Sequence, residues 1–273
     1  MRTSERVVAG LKANGDLWEA APGLIGLRGE TRARFRDIDS RLAMQCRLET
    51  RDEWSVPQAL PMAVLERADY FTSFPQWLTL ASHFSDDTTR AARAALPPAV
   101  CYHVYAALAD SAVAVPRIVT AQGCCWRNEA DQFAPLERGW AFTMRELVCI
   151  GTEAECVAFR DRGIAIARAF AERLGTAGEL VAAEDPFFAP SRGRQLLQRL
   201  KELKQELRLP IGGGDTVAAA SFNLHERFFG EAFDIRLPDG TPAFTACVAF
   251  GLERWLLASL VAEHIEALAE VGA

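Results

Sequence analysis

The stretch that decides the fold is CCWRNEADQFAPLERGWAFTMREL, residues 124–147. It joins two apolar runs, residues 117–127 and 141–150, whose composition predicts β-strands. The polar segment between the runs predicts an antiparallel pair connected by a long hairpin. Charged residues are uncommon within such a pair unless a charged group lies against them. The stretch therefore raises the question of what that group is.

Side chains alternate between the two faces of a strand, so three predicted strands each present a polar face. The residues on these faces are Cys125, Arg127 and Glu129; Phe142, Met144, Glu146 and Val148; and Thr245, Cys247 and Ala249. If the three faces belong to one sheet, they bring together arginine, carboxylates, an aromatic ring and a thiol. The alternative is that Arg127 and Glu129 simply pair with each other on a solvated sheet edge, and spacing alone leaves both readings open.

The rest of the chain predicts an α+β fold, with an antiparallel β-sheet flanked by helices. Apolar periodicity and the capping box of Thr152 with Glu155 predict helices. These lie at 31–47, from 62 into an extended stretch ending at Pro75, 89–95, 99–108, 152–174, 192–208 and 251–269. Further strands are predicted at 215–222, 231–237 and 243–250.

Composition bounds the class of protein. The net charge of −6 argues against non-specific binding to RNA or DNA, but not against a mononucleotide. No run of about 18 uncharged apolar residues occurs, so neither a transmembrane helix nor a membrane partner is expected. The N-terminal residues carry frequent charges and do not resemble a signal peptide, which favours a cytoplasmic protein. Its seven cysteines would then be buried residues, metal ligands or nucleophiles rather than a disulfide framework.

Several segments resemble a known family. Residues 124–147 are similar to motif 2 of class II aminoacyl-tRNA synthetases, a strand–loop–strand unit with an Arg-x-Glu and a later Phe. ACVAFGLERWLLA, residues 246–258, resembles motif 3, and MAVLERADYFTSFP resembles the degenerate motif 1. With LPPAVCYHVY and SFNLHERFFGEAF, they resemble the zinc-containing seryl-type enzymes and, more closely, the short amino acid:[carrier protein] ligases.

The resemblance spans about residues 60–260 and implies one class II synthetase-like catalytic domain over 1–273. A helical N-terminal part would cover about 1–60, and a helical insertion about 186–210. The resemblance also implies a homodimer. It further implies an AMP- and pyrophosphate-forming ligase that activates glycine or alanine with ATP. The aminoacyl group would then pass to the phosphopantetheine thiol of a carrier protein.

The resemblance assigns the ATP site residue by residue. Arg127 would hold the α-phosphate and the amino acid carboxylate, and Glu129 would accept a hydrogen bond from the adenine amino group. Arg138 would reach the outer phosphates, Phe142 would stack on adenine, and Arg254 would bind the γ-phosphate. Arg127 and Arg254 are thus the catalytic residues, because planar guanidinium groups can stabilise the charge that builds on phosphate.

The resemblance also implies a zinc site formed by Cys101, Glu146 and Cys247. Two thiolates and a carboxylate suit Zn²⁺ and leave a fourth position for the substrate amine. Arg127, Glu146 and Asn223 would then be substrate contacts. Without the resemblance, each cysteine is more simply a small buried residue. His103 is a competing ligand, although a helix would turn it away from Cys101.

The sequence leaves open the role of His225 and the ligands of Mg²⁺. His225 could line the amino acid pocket or act as a hydrogen-bonded structural residue. In the family, a carboxylate that helps to hold Mg²⁺ lies in a segment resembling TVAAASFN, residues 216–223, where this chain has none. Asp215 lies nearby, and the Mg²⁺ ligands are left unassigned. Motif 3 also lacks its first Gly.

The acceptor is inferred from charge. On the predicted 192–208 helix, four basic side chains gather on one flank, and the alternative is an ordinary solvated face. They are Arg194, Lys201, Lys204 and Arg208. A basic stripe suits an acidic carrier protein, and the first 60 residues show no RNA-binding arm, so tRNA is not expected as a partner. Other possible functions are a non-catalytic regulatory paralogue and a minimal tRNA-charging enzyme.

Overall fold

The computed structural model describes residues 1–85, 88–89, 91–129, 132–183 and 202–271. Its helices are α1 (Thr3–Ala13), α2 (Gly29–Cys46), α3 (Met62–Arg67), α4 (Tyr70–Ser73), α5 (Cys101–Ala107), α6 (Glu153–Arg173), α7 (Phe228–Ala232) and α8 (Leu252–Val271). A 3₁₀ turn covers Pro75–Trp77. Within these residues, no helix is long and apolar enough to cross a membrane.

The strands fall into one large sheet and several short pairings. They are β1 (Leu17–Ala21), β2 (Leu24–Leu27), β3 (Glu53–Ser55), β4 (Leu60–Pro61), β5 (Leu80–Ala81), β6 (Phe84–Ser85), β7 (Thr88–Thr89), β8 (Ala94–Ala95), β9 (Ser111–Ala112), β10 (Arg117–Trp126), β11 (Ala141–Gly151), β12 (Glu179–Ala182), β13 (Lys204–Pro210), β14 (Thr216–Glu226), β15 (Ile235–Arg236) and β16 (Phe244–Gly251).

The large sheet has the strand order β12-β13-β14-β16-β11-β10-β3. All neighbours are antiparallel except β3, which runs parallel to β10. The long hairpin predicted from the sequence is therefore confirmed, with Ala121 opposite Glu146. On the other side of β11, Val148 lies opposite Cys247. Directly opposed residues share a face, so the register places Glu146 and Cys247 on the same face.

The two faces of the sheet carry different layers. Helices α2, α6 and α8 cover one face with a core that includes Leu147, Phe170 and Trp255. The opposite face packs on α5 and α7 with a second core that includes Tyr105 and Phe229. The α+β fold with an antiparallel sheet flanked by helices is thus confirmed. The site is formed on the α5 side.

Helix α6 begins as its sequence predicts. The Thr152 hydroxyl accepts a hydrogen bond from the Glu155 N–H at 3.3 Å, and the Glu155 carboxylate accepts one from the Thr152 N–H at 2.8 Å. Each side chain thus satisfies a backbone donor that the helix leaves unpaired. The predicted helix over 31–47 is likewise observed as α2.

Some predicted elements are wrong. Residues 204–210 form strand β13 rather than the end of a 192–208 helix, and residues 184–201 lie outside the described part of the chain. The predicted helix over 89–95 is replaced by the short strands β7 and β8. The stretch before Pro75 is helical, and the predicted strand over 231–237 reduces to β15. The N-terminal part contains a β-hairpin as well as helices.

Candidate active site

A cavity of about 480 Å³ opens on the α5 side of the sheet. Its walls come from the β10–β11 hairpin, from β14 and β16, and from the chain around α4 and α5. The predicted site residues that line it are Cys101, Arg127, Glu129, Arg138, Phe142, Lys204, Asn223, Cys247 and Arg254. The strands therefore bring together residues more than 150 positions apart in the sequence. The strand pattern alone does not predict that these residues lie around one cavity.

Three potential metal ligands lie together at the cavity wall, where Cys101 and Cys247 are lining residues and Glu146 is buried beside them. One ligand atom each from Cys101, Glu146 and Cys247 lies within 4.8 Å of the other two, and all three residues are buried. This is the set that the sequence resemblance implied. Among the described residues, no other cluster of three or more His, Cys, Asp or Glu side chains has this geometry. Two thiols and one carboxylate are a donor set that fits Zn²⁺.

Glu146 is fixed by backbone hydrogen bonds. Its Oε1 accepts from the Val100 N–H at 3.0 Å and its Oε2 from the Cys101 N–H at 3.1 Å, both at the start of α5. Burial, together with the nearby Cys247, nevertheless raises the pKa of Glu146 to about 8. A carboxyl group with this pKa gains much from a bound cation, because a positive charge favours its ionised form. The environment of Glu146 thus fits a metal site.

Cys247 is the most strongly polarised thiol of the group. Its Sγ lies 3.4 Å from the Asn223 Nδ2 donor and 3.8 Å from His225 Nε2. The hydrogen bond from the Cys101 thiol, together with His225 and Asn223, holds the pKa of Cys247 well below its usual range, against the effect of burial. A thiolate is the form that binds a metal. Cys247 is therefore preorganised as a ligand.

The two histidines in question have different positions. His225 lines the cavity, and its Nδ1 lies 3.4 Å from both the Tyr105 hydroxyl and Thr245 Oγ1, so it is both hydrogen-bonded and close to the pocket. His103 is not part of the ligand cluster. Burial lowers the pKa of His103 to about 4, and its Nε2 has no hydrogen-bond partner in the described structure. His103 is therefore not a competing ligand.

Arg127 lies between two aromatic rings. Its guanidinium carbon is 5.3 Å from the centre of the Trp77 ring and 5.4 Å from that of Phe142, and its Nε donates to the Pro98 carbonyl at 3.0 Å. Two cation–π contacts and one hydrogen bond thus hold the guanidinium group in place. The alternative of an Arg127–Glu129 side-chain pair is wrong, because Glu129 instead pairs with Arg138 at 3.2 Å.

Arg254, at the start of α8, lines the same cavity as Arg127. Its Nε donates to the Glu137 carbonyl at 2.7 Å and its Nη1 to the Ala218 carbonyl at 2.9 Å. Burial, and then the positive charge of Arg127, lower the pKa of Arg254. Two guanidinium groups that repel each other across one cavity fit an anion between them.

Glu253 is a site residue that the sequence reasoning did not single out. It lines the cavity, and its carboxylate accepts from the Thr143 N–H at 2.9 Å and from the Thr143 hydroxyl at 2.9 Å. It thereby ties the start of α8 to strand β11. Its place beside Arg254 in GLERW was the available signal. Trp77, which contacts Arg127, carried no comparable signal.

The residues predicted to dock a carrier do not form one helical stripe. Lys204 and Arg208 lie on β13 on the same side as Glu206, whose carboxylate is 3.6 Å from each of them. Arg208 also donates to the Thr216 hydroxyl and carbonyl at 2.9 Å. Strand alternation, which groups every second residue, is the reason for the difference. Arg194 and Lys201 lie outside the described residues.

No protein ligand set for Mg²⁺ is apparent in the described part of the cavity. Asp215, the carboxylate near the family position, lies 3.6 Å from Arg2 in an exposed ion pair. The only metal-binding cluster in the described residues is the one that contains two thiols. Hard cations such as Mg²⁺ prefer oxygen ligands. Cys101, Glu146 and Cys247 therefore do not fit Mg²⁺, and its protein ligands stay unassigned.

Comparison with known proteins places this geometry in a family. The chain is 34% identical over 226 residues to amino acid–[acyl-carrier-protein] ligase 1 of Bradyrhizobium diazoefficiens, with 74% of this chain and 68% of the relative covered. The chain belongs to the amino acid–[acyl-carrier-protein] ligase family. Ligase 2 of the same organism is 33% identical over 265 residues, covering 86% of this chain and 78% of that protein. As a member of this family, the protein is a ligase.

Solved structures with the same fold are known. M. kandleri SerRS, in a crystal structure with A. aeolicus tRNASec, superposes with a TM-score of 0.81 at 20% identity. The match covers 93% of this chain but only 56% of that protein, so the chain spans little more than half of its length. No family model matches the chain. The fold is that of class II aminoacyl-tRNA synthetases, as the sequence motifs predicted.

Proposed function

We propose that this ligase activates glycine or alanine with ATP and transfers the aminoacyl group to the phosphopantetheine thiol of a carrier protein. The observation that carries the proposal is the presence in one cavity of a Cys101–Glu146–Cys247 cluster and two opposed arginines. The first could hold the amine end of an amino acid through a metal. The second could hold a polyphosphate. Family membership supports an amino acid as the substrate and a carrier protein as the acceptor.

Arg127 and Arg254 would clamp the nucleotide phosphates from opposite sides. Arg127 is held by Trp77, Phe142 and the Pro98 carbonyl, and Arg254 by two carbonyl groups. Both side chains are therefore oriented before the nucleotide binds, which lowers the reorganisation needed in the transition state. The other face of the Phe142 ring would take adenine. Arg138 would leave its ion pair with Glu129 and bind the outer phosphates instead.

The metal-ligand cluster would orient the amino acid. Zn²⁺ bound by Cys101, Glu146 and Cys247 would supply a Lewis-acid position for the neutral α-amine. Asn223 and His225 would keep Cys247 in place through the contacts at its sulfur. On the same face, Ala249 lies directly opposite Glu146, and Met144 is two residues before it. Ala249 and the bulkier Met144 beside the cluster leave limited space for a side chain, which supports a small amino acid as the substrate.

Both chemical steps balance without a dedicated general base. A carboxylate oxygen of the amino acid forms a bond to the α-phosphorus as the bond to pyrophosphate breaks, giving aminoacyl-AMP. The carrier thiol then gives its proton to solvent, its sulfur attacks the carbonyl carbon, and AMP leaves with the electrons of the bond to that carbon. Arg127 would stabilise charge on the α-phosphate in both steps. Mg²⁺ would arrive with the nucleotide, and no step here depends on a protein ligand to it.

Amino-acid-dependent exchange of pyrophosphate into ATP tests this proposal. The wild-type protein is expected to contain about one zinc per chain and to support exchange with glycine or alanine. Cys247→Ser should lose the zinc and at least about 100-fold of the exchange rate, because a thiolate ligand is removed. Cys124→Ser is the matched control, since Cys124 is half-buried and outside the cluster, and it should retain both.

The outcomes also separate the other functions. A folded protein that binds zinc but gives no exchange with any amino acid would contradict the proposal and favour a non-catalytic regulatory subunit. Exchange followed by transfer to tRNA rather than to a phosphopantetheinylated carrier would favour a tRNA-charging enzyme. If Cys247→Ser loses its zinc but still catalyses pyrophosphate exchange, the protein activates amino acids without the metal. That result would contradict the proposed role of zinc.

A further inference from the structure

The N-terminal hairpin β1–β2 contacts the loop that carries the proposed ATP-binding residues. At its turn, the Gly23 carbonyl accepts hydrogen bonds from the Trp140 N–H at 2.8 Å and from the Ala141 N–H at 3.3 Å. The Trp140 carbonyl in turn accepts from the Arg127 N–H at 2.9 Å. One peptide group therefore links the hairpin turn to the backbone of Arg127.

The turn fits against this loop only because residue 23 is glycine. Its φ of +76° is in the left-handed region that other residues rarely adopt. A Cβ at Gly23 would lie 2.6 Å from the Trp140 nitrogen and 2.7 Å from Phe133 Cδ1. The first of these atoms is backbone and cannot rotate away. A side chain at position 23 would thus push the hairpin and the loop apart.

Other N-terminal residues contact the same loop. Arg2 forms an ion pair with Glu137 at 3.2 Å, and the Glu137 carbonyl is the acceptor for Arg254 Nε. Leu136 is 2% exposed and belongs to the same core as Leu17 of β1. It has a φ of +64°, which is unfavourable for a branched residue. Surrounding packing must therefore hold this part of the loop in place.

We propose that the β1–β2 hairpin is a positioning element for nucleotide binding, acting through Gly23 on Trp140 and Ala141 and, through the Trp140 carbonyl, on Arg127. Gly23 and Ile25 also line the cavity beside Arg138 and Glu129, so the hairpin forms part of the wall that the nucleotide would meet. The inference rests on the proposed ATP site, but the contact between hairpin and loop exists without ligand. It assigns a role to a segment outside residues 60–260, where the family resemblance was found.

Gly23→Ala tests the inference with two separate measurements. Hydrogen–deuterium exchange of the ligand-free protein should be faster at the Trp140 and Ala141 amides, because their acceptor moves away. The KM for ATP in pyrophosphate exchange should rise by about 10- to 100-fold. The zinc content should stay near wild type, because none of the backbone hydrogen bonds to the Gly23 carbonyl comes from Cys101, Glu146 or Cys247.

Two glycine variants are matched controls. Gly10→Ala lies in α1 and its added Cβ meets nothing within 4 Å. Gly240→Ala has a φ of +86° and also meets nothing within 4 Å, so it reproduces the backbone strain without the contact. Neither should change the KM for ATP. If Gly23→Ala does not fold, Phe133→Leu, which reduces the ring lying against Gly23, should change the same two measurements in the same direction.

The results distinguish this inference from the proposed function. Faster amide exchange with an unchanged KM for ATP would overturn the positioning role, and so would equal effects in Gly23→Ala and Gly240→Ala. If the wild-type protein catalyses no exchange, the Kd for ATP from calorimetry replaces the KM. If the wild type does not bind ATP, both the proposed ATP site and the positioning role are contradicted. Faster amide exchange in Gly23→Ala would then show only that the hairpin contacts the loop.

Discussion

At the scale of single residues, Glu253 shows how one carboxylate can connect two motifs. It precedes Arg254 in the chain, yet it accepts hydrogen bonds from Thr143 on the neighbouring strand. Burial raises its pKa to about 7, from an ordinary value of 4.5, although the Thr143 hydrogen bonds oppose the shift. Near neutral pH this side chain is thus close to half-protonated in the ligand-free protein.

The raised pKa of Glu253 gives a prediction with a definite sign. The folded state favours the protonated carboxyl group, so its contribution to stability is fully present below about pH 4.5 and is lost as the pH rises through about 7. Relative to Glu253→Gln, the wild-type free energy of unfolding should fall by about 1–3 kcal/mol over this range. Urea denaturation of both proteins from pH 4.5 to 7.5 measures the difference. Parallel curves would contradict the assigned cause.

Individual residues also show what the sequence could and could not predict. Alternation along two strands correctly placed Glu146 and Cys247 on one face, because strand geometry alone fixes that property. Cys101 was placed only by resemblance, since it comes from a helix whose packing angle no local pattern specifies. Trp77 and Gly23 were missed for the same reason. Their roles depend on contacts between segments that are distant in sequence.

At the scale of elements, strand β13 explains the largest error. Leu200, Leu203 and Leu207 fit the spacing of a helix, but Leu207 and Leu209 also alternate with charged residues, as in a strand. Pairing with β14 on one side and β12 on the other satisfies the backbone of β13 and buries both leucines. Tertiary pairing therefore overrides a helical pattern that is equally compatible with the local sequence.

The same segment carries a prediction about the carrier protein. We propose that Arg194 and Lys201 attract the acidic carrier more than Lys204 and Arg208 do, since those two share the ion-pair partner Glu206. Arg194→Glu combined with Lys201→Glu should slow aminoacyl transfer by about 3- to 10-fold, and the loss should shrink at high salt. Pyrophosphate exchange should stay unchanged. The measurement is transfer to a phosphopantetheinylated carrier at two salt concentrations.

The control for this prediction reverses two charges on the opposite layer. Arg36→Glu with Arg168→Glu changes exposed residues of α2 and α6, away from the cavity, and should leave transfer at the wild-type rate. Equal slowing in both double variants would indicate a general charge effect. Equal loss of exchange and transfer in the first variant would indicate damage to the activation site rather than to docking.

At the scale of the whole molecule, the sheet separates stability from chemistry. Residues alternate along β11, so Glu146 faces the cavity, whereas its neighbour Arg145 faces the helical layer. The Arg145 side chain is 5% exposed and forms ion pairs with Asp39 of α2 at 2.7 Å and with Glu53 of β3 at 3.0 Å. One strand thus carries a metal-site ligand on one face and a link between three elements on the other.

This separation predicts that adjacent residues have unrelated effects. Arg145→Met should lower the free energy of unfolding by about 1–3 kcal/mol, because Asp39 loses its bidentate partner and Glu53 keeps only an exposed ion pair with Arg47. Arg41→Met, which breaks an ion pair with Asp37 in which both side chains are about half exposed, should cost less than about 0.5 kcal/mol. Zinc content and the KM for ATP should match the wild type in both variants when they are measured well below the unfolding temperature. A loss of zinc in folded Arg145→Met would show that the helical layer also holds the ligands in place, because only a shift of β11 as a unit could transmit that change to Glu146.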